Sequence, residues 1–288
     1  MNAQKYRLYQ DVDFLTRLRP FRNYENLESL AKVCDYIKEE YRKLGWTYEE
    51  QKWTAAGNEY TNIIVSYNAD KEERLIVGAH YDVCGNQPGA DDNASAVAGL
   101  LETARLLATH KPDLDYRIDL VAYCLEEPPF FGSESMGSYI HAKSLYDDNV
   151  DVIGMICYEM IGYFSDEPNS QIYPYPFSEL AKIYPSTANF IVVVGLDEYS
   201  PFNDKVYKLM KAQGGIDVQT ISFPDDTGLS GLSDHMCYWK FGYNALMIND
   251  TAFIRNDNYH QITDTIETLD FDKMTEVINS AYNAIIKF

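Results

Sequence analysis

Apolar positions in this chain alternate between two periodicities. The runs RLIVGA (74–79), RIDLVAYCL (117–125), DVIGMICY (151–158), FIVVVG (190–195), VQTISF (218–223) and YNALMIND (243–250) are too short for helices and predict buried strands, with TNIIVSY (61–67) opening the sheet. Between them, apolar residues recur at helical spacing and predict helices over about 26–44, 94–109, 134–145, 202–213 and 270–286. This alternation predicts an α/β fold: a single wound domain over residues 1–288, with a mixed, largely parallel central sheet flanked by helices. An N-terminal helical segment, about 1–45, precedes the sheet. One stretch breaks the pattern. Residues 162–189 are rich in Pro, Tyr and Phe and too interrupted for a core element, and a loop this long in a compact domain usually serves function.

The polar residues that end these strands form a second pattern. His80 follows the strand 74–79, at the sheet edge where ligands bind in open α/β folds. Asp91 and Asp92 follow the Pro88-Gly89 turn and stand at the entry to a helix, where one carboxylate is enough for capping. Glu126 and Glu127 leave the strand 117–125 together, which costs repulsion and desolvation unless a cation or proton lies between them. Glu159 closes another strand, and His260 lies in a polar loop before the last helix. Nitrogen and oxygen donors without thiolate suit catalytic zinc or a similar divalent metal. Two such ions about 3.5–4 Å apart, bridged by a short carboxylate, lower the pKa of bound water toward about 7.

The order H-x-D (80–82), G-A-D-D-N-A-S (89–95), E-E (126–127), E-M-I-G (159–162) and Y-H-x-x-x-D-T (259–265) resembles the di-zinc aminopeptidases related to bacterial leucyl aminopeptidase and aminopeptidase Y. The resemblance spans roughly residues 60 to 285 and implies one zinc-peptidase-like catalytic domain with two zinc ions per chain. It implies that His80, Asp92, Glu127, Glu159 and His260 are the metal ligands, with Asp92 bridging, Asp82 orienting His80 and Glu126 acting as general base. Which histidine shares an ion with which glutamate stays open. The implied activity is a metal-dependent exopeptidase, an aminopeptidase that cleaves the first bond of short peptides with a free amino terminus. Glutaminyl cyclases are related and give the alternative of a single-zinc acyltransferase; a carboxypeptidase or amidohydrolase would fit the same ligands. A binding module without catalysis fits poorly with the retained Glu126. Pro128-Pro129-Phe130-Phe131 replaces the usual Gly-rich continuation after the Glu pair, so the pocket there departs from the family's pattern.

Other residues carry weaker expectations. Asp234 and His235 suggest a helix cap that also hydrogen-bonds around the ligands. Phe130 and Phe131, with Tyr163, Phe164, Tyr173, Tyr175 and Phe177 of the long loop, suggest aromatic walls for a bulky apolar first residue. Asp91 reads as a cap of the helix beginning near Ala94, Asp264 as a cap or brace of the His260 loop, and His110 and His141 as solvated helix-end histidines.

Composition narrows the partners. A formal charge of −20, from 24 Lys and Arg against 44 Asp and Glu, leaves no basic face for nucleic acid. Five cysteines without a C-x-x-C pair suit free buried thiols in a reducing compartment. The N-terminus has no apolar core of the signal-peptide kind and no apolar run approaches membrane-spanning length, so a cytoplasmic protein is expected. Nothing in the sequence sets the oligomeric state.

Overall fold

A computed structural model describes residues 2–226 and 228–288. The chain runs α1 (Lys5–Arg17), α2 (Leu27–Lys43), β1 (Tyr48–Ala55), β2 (Asn58–Tyr67), β3 (Arg74–His80), α3 (Ala96–His110), β4 (Arg117–Tyr123), α4 (Gly137–Asp147) and β5 (Val152–Glu159). It continues through β6 (Phe190–Leu196), α5 (Ser200–Gln213), β7 (Asp217–Phe223), α6 (His235–Trp239), β8 (Ala245–Asn249) and α7 (Phe271–Ile285). The strands make one sheet in the order β1-β2-β4-β3-β5-β8-β6-β7. Its centre, β4-β3-β5-β8, is parallel. The β1–β2 hairpin joins antiparallel on one side, and β6, with β7 parallel to it, joins antiparallel to β8 on the other.

The continuous apolar runs arise because helices cover both faces of the central strands. Along β3, Leu75 and Val77 enter the core under α1, α2, α3, α5 and α7, while Ile76 enters the one under α4 and α6. The helix α3 is buried from Ala96 to Leu107, and its Arg105 bonds Asp11 of α1 and Glu40 of α2, each at 2.6 Å. Asp270 caps α7 by accepting from the amides of Asp272 and Lys273. No helix among the described residues is long and apolar enough to cross a membrane.

Several boundaries differ from expectation, three of them for a visible reason. The strand β1 has no counterpart in the sequence reading, because YEEQKWTA lies on the sheet edge and leaves most of its side chains outside the core. Ala56 and Gly57, both at positive φ, turn it into β2, which begins three residues earlier than expected. The helix α3 starts at Ala96 rather than 94, since the chain reaches it through an irregular turn, Ala90–Ser95, in which Asp92 (φ −103°, ψ 89°) is not helical.

Candidate active site

The parallel strands of the sheet centre deliver the site residues at their C-terminal ends. His80 is the last residue of β3 and Glu159 the last of β5. After β4 ends at Tyr123, Leu125 at φ 65° turns the chain, so Glu126 and Glu127 are no longer in a strand and can face the same space. Asp92 hangs from the turn entering α3, and His260 comes from the loop after β8. All are buried except His260, whose side chain is about a quarter exposed (26%).

Asp92 lies between two sets of donors. Its Oδ1 is 3.4 Å from His80 Nε2, which is also 3.2 Å from Glu159 Oε2. Its Oδ2 is 3.1 Å from His260 Nε2, which is 3.3 Å from Glu127 Oε2. By proximity, His80 stands with Glu159 and His260 with Glu127. Glu126 stands farther off, 3.8 Å from His80 Nε2. Asp82 is 3.6 Å from His80 Nδ1, beyond hydrogen-bond distance, and instead accepts from the amides of Glu126 and Glu127, each at 3.2 Å. It therefore shapes the turn carrying the Glu pair as well as facing the imidazole. Ser233 Oγ and Asn93 Nδ2 hold Glu159 Oε2 at 2.7 and 3.1 Å.

As protein groups alone, these residues compete for protons. Burial, then the charge of Asp92, pushes Glu127 up to about 8; burial likewise drives Glu126 well above the carboxyl range and raises Glu159. Burial works against charging His260, yet pairing with Asp92 and Glu127 lifts it to about 10. Burial would raise Asp92 too, but its two histidines outweigh that and keep it ionised. Both ring nitrogens of His80 and Oε1 of Glu127 are buried without a hydrogen-bond partner among the described residues. Orphaned nitrogen and oxygen donors converging on one carboxylate fit divalent cations, whose binding would displace the protons. Ligand atoms of His80, Asp92 and Glu127 lie within 4.8 Å of one another, as do those of Cys84, Glu127 and His260.

The sequence profile of peptidase family M28 matches residues 62–285. The chain belongs to peptidase family M28. It is 38% identical over 287 residues to the uncharacterized protein YfbL of Escherichia coli K12, covering 96% of this chain and 86% of that one. It is 24% identical over 275 residues to leucine aminopeptidase 1 of Leptosphaeria maculans, covering 90% of this chain and 63% of the relative. It thus spans under two thirds of that fungal enzyme. Among solved structures, LapB from Legionella pneumophila superposes with a TM-score of 0.77 at 19% identity, over 99% of this chain and 72% of that one. A glutaminyl cyclase from Bacteroides thetaiotaomicron gives 0.76 at 20% identity, over 100% and 99%. The likeness to both structures establishes a shared fold and no more.

In this M28 chain the turn that carries Asp92 is held from two sides. The carboxylate of Asp264 accepts from the amides of Asp91 (2.9 Å) and Asp92 (3.1 Å), so it braces that turn rather than the His260 loop. From the other side Arg22, only 1% exposed, donates to the carbonyls of Tyr81 (2.9 Å), Gly89 (2.6 Å), Leu15 (3.3 Å) and Pro88. Asp91 does not cap the helix: its oxygens accept from Gly162 N and Asn256 Nδ2, tying the turn to the segment after Glu159. Sequence reasoning passed over Arg22, Asn93 and Ser233, which lie in polar stretches without periodicity. It also passed over Tyr259, whose ring stacks on His260 with centroids 3.8 Å apart. The Y-H pair in the late motif was the available signal.

A cavity of about 200 Å³ opens beside the carboxylates. The sheet contributes Phe190, Val192, Val194, Ile221, Phe223 and Met247 to its lining. Of the expected aromatic walls, Phe131 and Tyr173 line it. Phe130 does not; its ring packs edge-on to Tyr24 and against Tyr60. Tyr175 is 92% exposed, and Phe164 is buried beneath Arg255. Asp234 is the N-terminal flank of α6 without a side-chain capping bond, and its buried carboxyl, raised to about 7 by burial, lies in the field of His80 and Glu159. His235 Nε2 bonds the carbonyl of Ser230 at 2.7 Å and its ring packs on Trp239, outside the ligand set. His141 is not solvated: it is 3% exposed, 2.6 Å from Tyr238 Oη, and burial lowers it to about 4. Of the five free cysteines, four are buried and Cys84 is half-buried at the site.

Proposed function

We propose that this M28 peptidase is a two-zinc aminopeptidase that removes a bulky apolar first residue from short peptides. The observation that carries this reading is Asp92, one carboxylate facing two separate His–Glu pairs through its two oxygens, as a bridge between two ions requires. His80 and Glu159 would hold one ion, His260 and Glu127 the other. Bound zinc supplies an activated water and polarises the scissile carbonyl. Glu126, left out of both sets, would take the proton of the attacking water and pass it to the leaving amine. The Tyr259 hydroxyl, whose strongest charged neighbours include Asp92 and Glu127, would donate to the carbonyl oxygen as it gains charge.

The cavity favours peptide hydrolysis over glutamine cyclisation. Its polar side chains away from the carboxylates are already engaged: Gln171 with Arg255 and Thr251, Asn249 with Glu159 O and Thr251 N, Tyr173 with Pro185 O, Tyr184 with Thr220 O. A glutamine carboxamide buried there would gain fewer partners than it has in water, which costs about 1–3 kcal/mol on general grounds. An apolar side chain gains about 25 cal/mol per Å² buried. Reading out leucyl, phenylalanyl, glycyl, glutamyl, acyl-blocked leucyl and N-terminal glutaminyl peptides tests this. Release of leucine or phenylalanine at more than about tenfold the kcat/KM of glycine, with no turnover of the blocked peptide, is expected. Loss of ammonia from the glutaminyl peptide without hydrolysis of the others would reverse the assignment.

A further inference from the structure

The two halves of the site differ in one donor. Beside His80 and Glu159 stand Asp92 Oδ1 and, farther off at 3.8 Å, Glu126, so every donor near this half is nitrogen or oxygen. Around His260 and Glu127, Asp92 Oδ2 is joined by Cys84, whose sulfur lies within 4.8 Å of ligand atoms of both residues. Cys84 comes from the loop four residues after His80, and it is the one cysteine that is not buried. An independent feature points to a ligand in this half: Glu127 is 4% exposed, yet its Oε1 is without a hydrogen-bond partner among the described residues.

We propose that Cys84 is a sulfur ligand for the ion held by His260 and Glu127, which makes this half of the site a thiophilic, four-donor position and leaves the His80–Glu159 half with three donors. The inference rests on the two-ion reading. Sulfur, imidazole and two carboxylates match the four-coordinate preference of zinc, and three protein donors with an open place match a catalytic position. A thiolate selects zinc, cobalt or cadmium over magnesium or manganese, which prefer all-oxygen surroundings. Cys84 would bind as the thiolate, its proton released to solvent when the ion enters. The metal would in turn shield the one accessible thiol from alkylation.

Cobalt(II) loading of the metal-depleted protein is the test, because a cobalt–thiolate bond adds an intense near-ultraviolet charge-transfer band to the weaker visible bands of imidazole and carboxylate coordination. The wild type should have the band and Cys84→Ser should lack it while keeping the visible bands. One of the two zinc affinities should fall more than about tenfold in Cys84→Ser, the lower end of what even indirect changes around a metal produce. On unmodified protein, zinc should slow iodoacetamide labelling of Cys84 by a similar factor. Visible cobalt bands without the charge-transfer band, and zinc affinity unchanged in Cys84→Ser, would overturn the sulfur ligand while leaving the two-ion reading intact. Failure of the protein to bind cobalt or zinc would overturn both.

Discussion

Replacing Arg22 by Met should weaken the metal site from a distance. The guanidinium donates to four backbone carbonyls, those of Leu15, Tyr81, Pro88 and Gly89, and so fastens the N-terminal segment to the two ends of the loop between His80 and Asp92. The Arg22 carbonyl in turn accepts from Val83 N, and Asn23 Nδ2 bonds the carbonyl of Gly85 at 2.7 Å. Each bond from a charged donor contributes roughly 1.5–3 kcal/mol. Burying the guanidinium costs several kcal/mol, which its loss would return. Because the four carbonyls stay buried without donors, the net loss should be about 3–5 kcal/mol, as for other buried charges separated from their partners. At roughly 2–4 °C per kcal/mol, metal-free Arg22→Met should melt about 6–20 °C lower. Loosening the loop should also cost roughly 10–100-fold in zinc affinity, measured by chelator competition. Arg22→Lys, with its charge kept but too few donors for four carbonyls, should fall between. Unchanged Tm and unchanged zinc affinity in Arg22→Met would refute the argument, whereas a lower Tm with unchanged zinc affinity would confine Arg22 to folding.

Glu126→Gln should keep both metals and lose about 10²–10⁴ in kcat, since it removes a proton acceptor and no ligand; Glu127→Gln should instead lose metal, and the reverse outcome would exchange their roles. Asp82→Asn should lower both zinc affinity, by about 10–100-fold, and kcat, because Asp82 holds the amides of Glu126 and Glu127 as well as facing His80. His141 has its folded pKa lowered by burial from 6.5 to about 4, so between these values the unfolded chain takes up a proton the folded one refuses. The stability advantage of wild type over His141→Gln should therefore shrink by about 1.4 kcal/mol per pH unit as pH falls through that window, and a pH-independent difference from denaturant titrations would contradict the buried neutral imidazole. Gly89→Ala should destabilise the Asp92 turn, since Gly89 has φ 60° and a Cβ there would lie 2.3 Å from Asp92 O; intact zinc binding and Tm would show that the turn yields.

The sheet centre was legible because parallel strands covered on both faces must be apolar throughout, and β3, β4 and β5 read that way. Their C-terminal ends are where chemistry collects, so His80, the Glu126–Glu127 pair and Glu159 stood out as polar residues closing apolar runs. The edge strand β1 was not legible: half of its residues are exposed and a single one is buried, and its pairing with β2 is made by backbone. Long-range braces were equally hidden. Arg22 and Asp264 act on backbone groups tens to hundreds of residues away, and no local pattern encodes such a partner. The cavity was misjudged in part for a related reason. Aromatic residues near Glu159 in sequence are the natural candidates for walls, yet much of the lining comes from β6, β7 and β8, where Val192, Val194, Ile221 and Met247 read as ordinary core.

Titrating zinc into metal-depleted protein while following release of leucine from a leucyl peptide tests the central claim most directly. If Asp92 bridges two ions, activity should depend on both and level off at two equivalents of zinc per chain. Full activity at a single equivalent, or binding that saturates at one ion, would contradict the two-ion site.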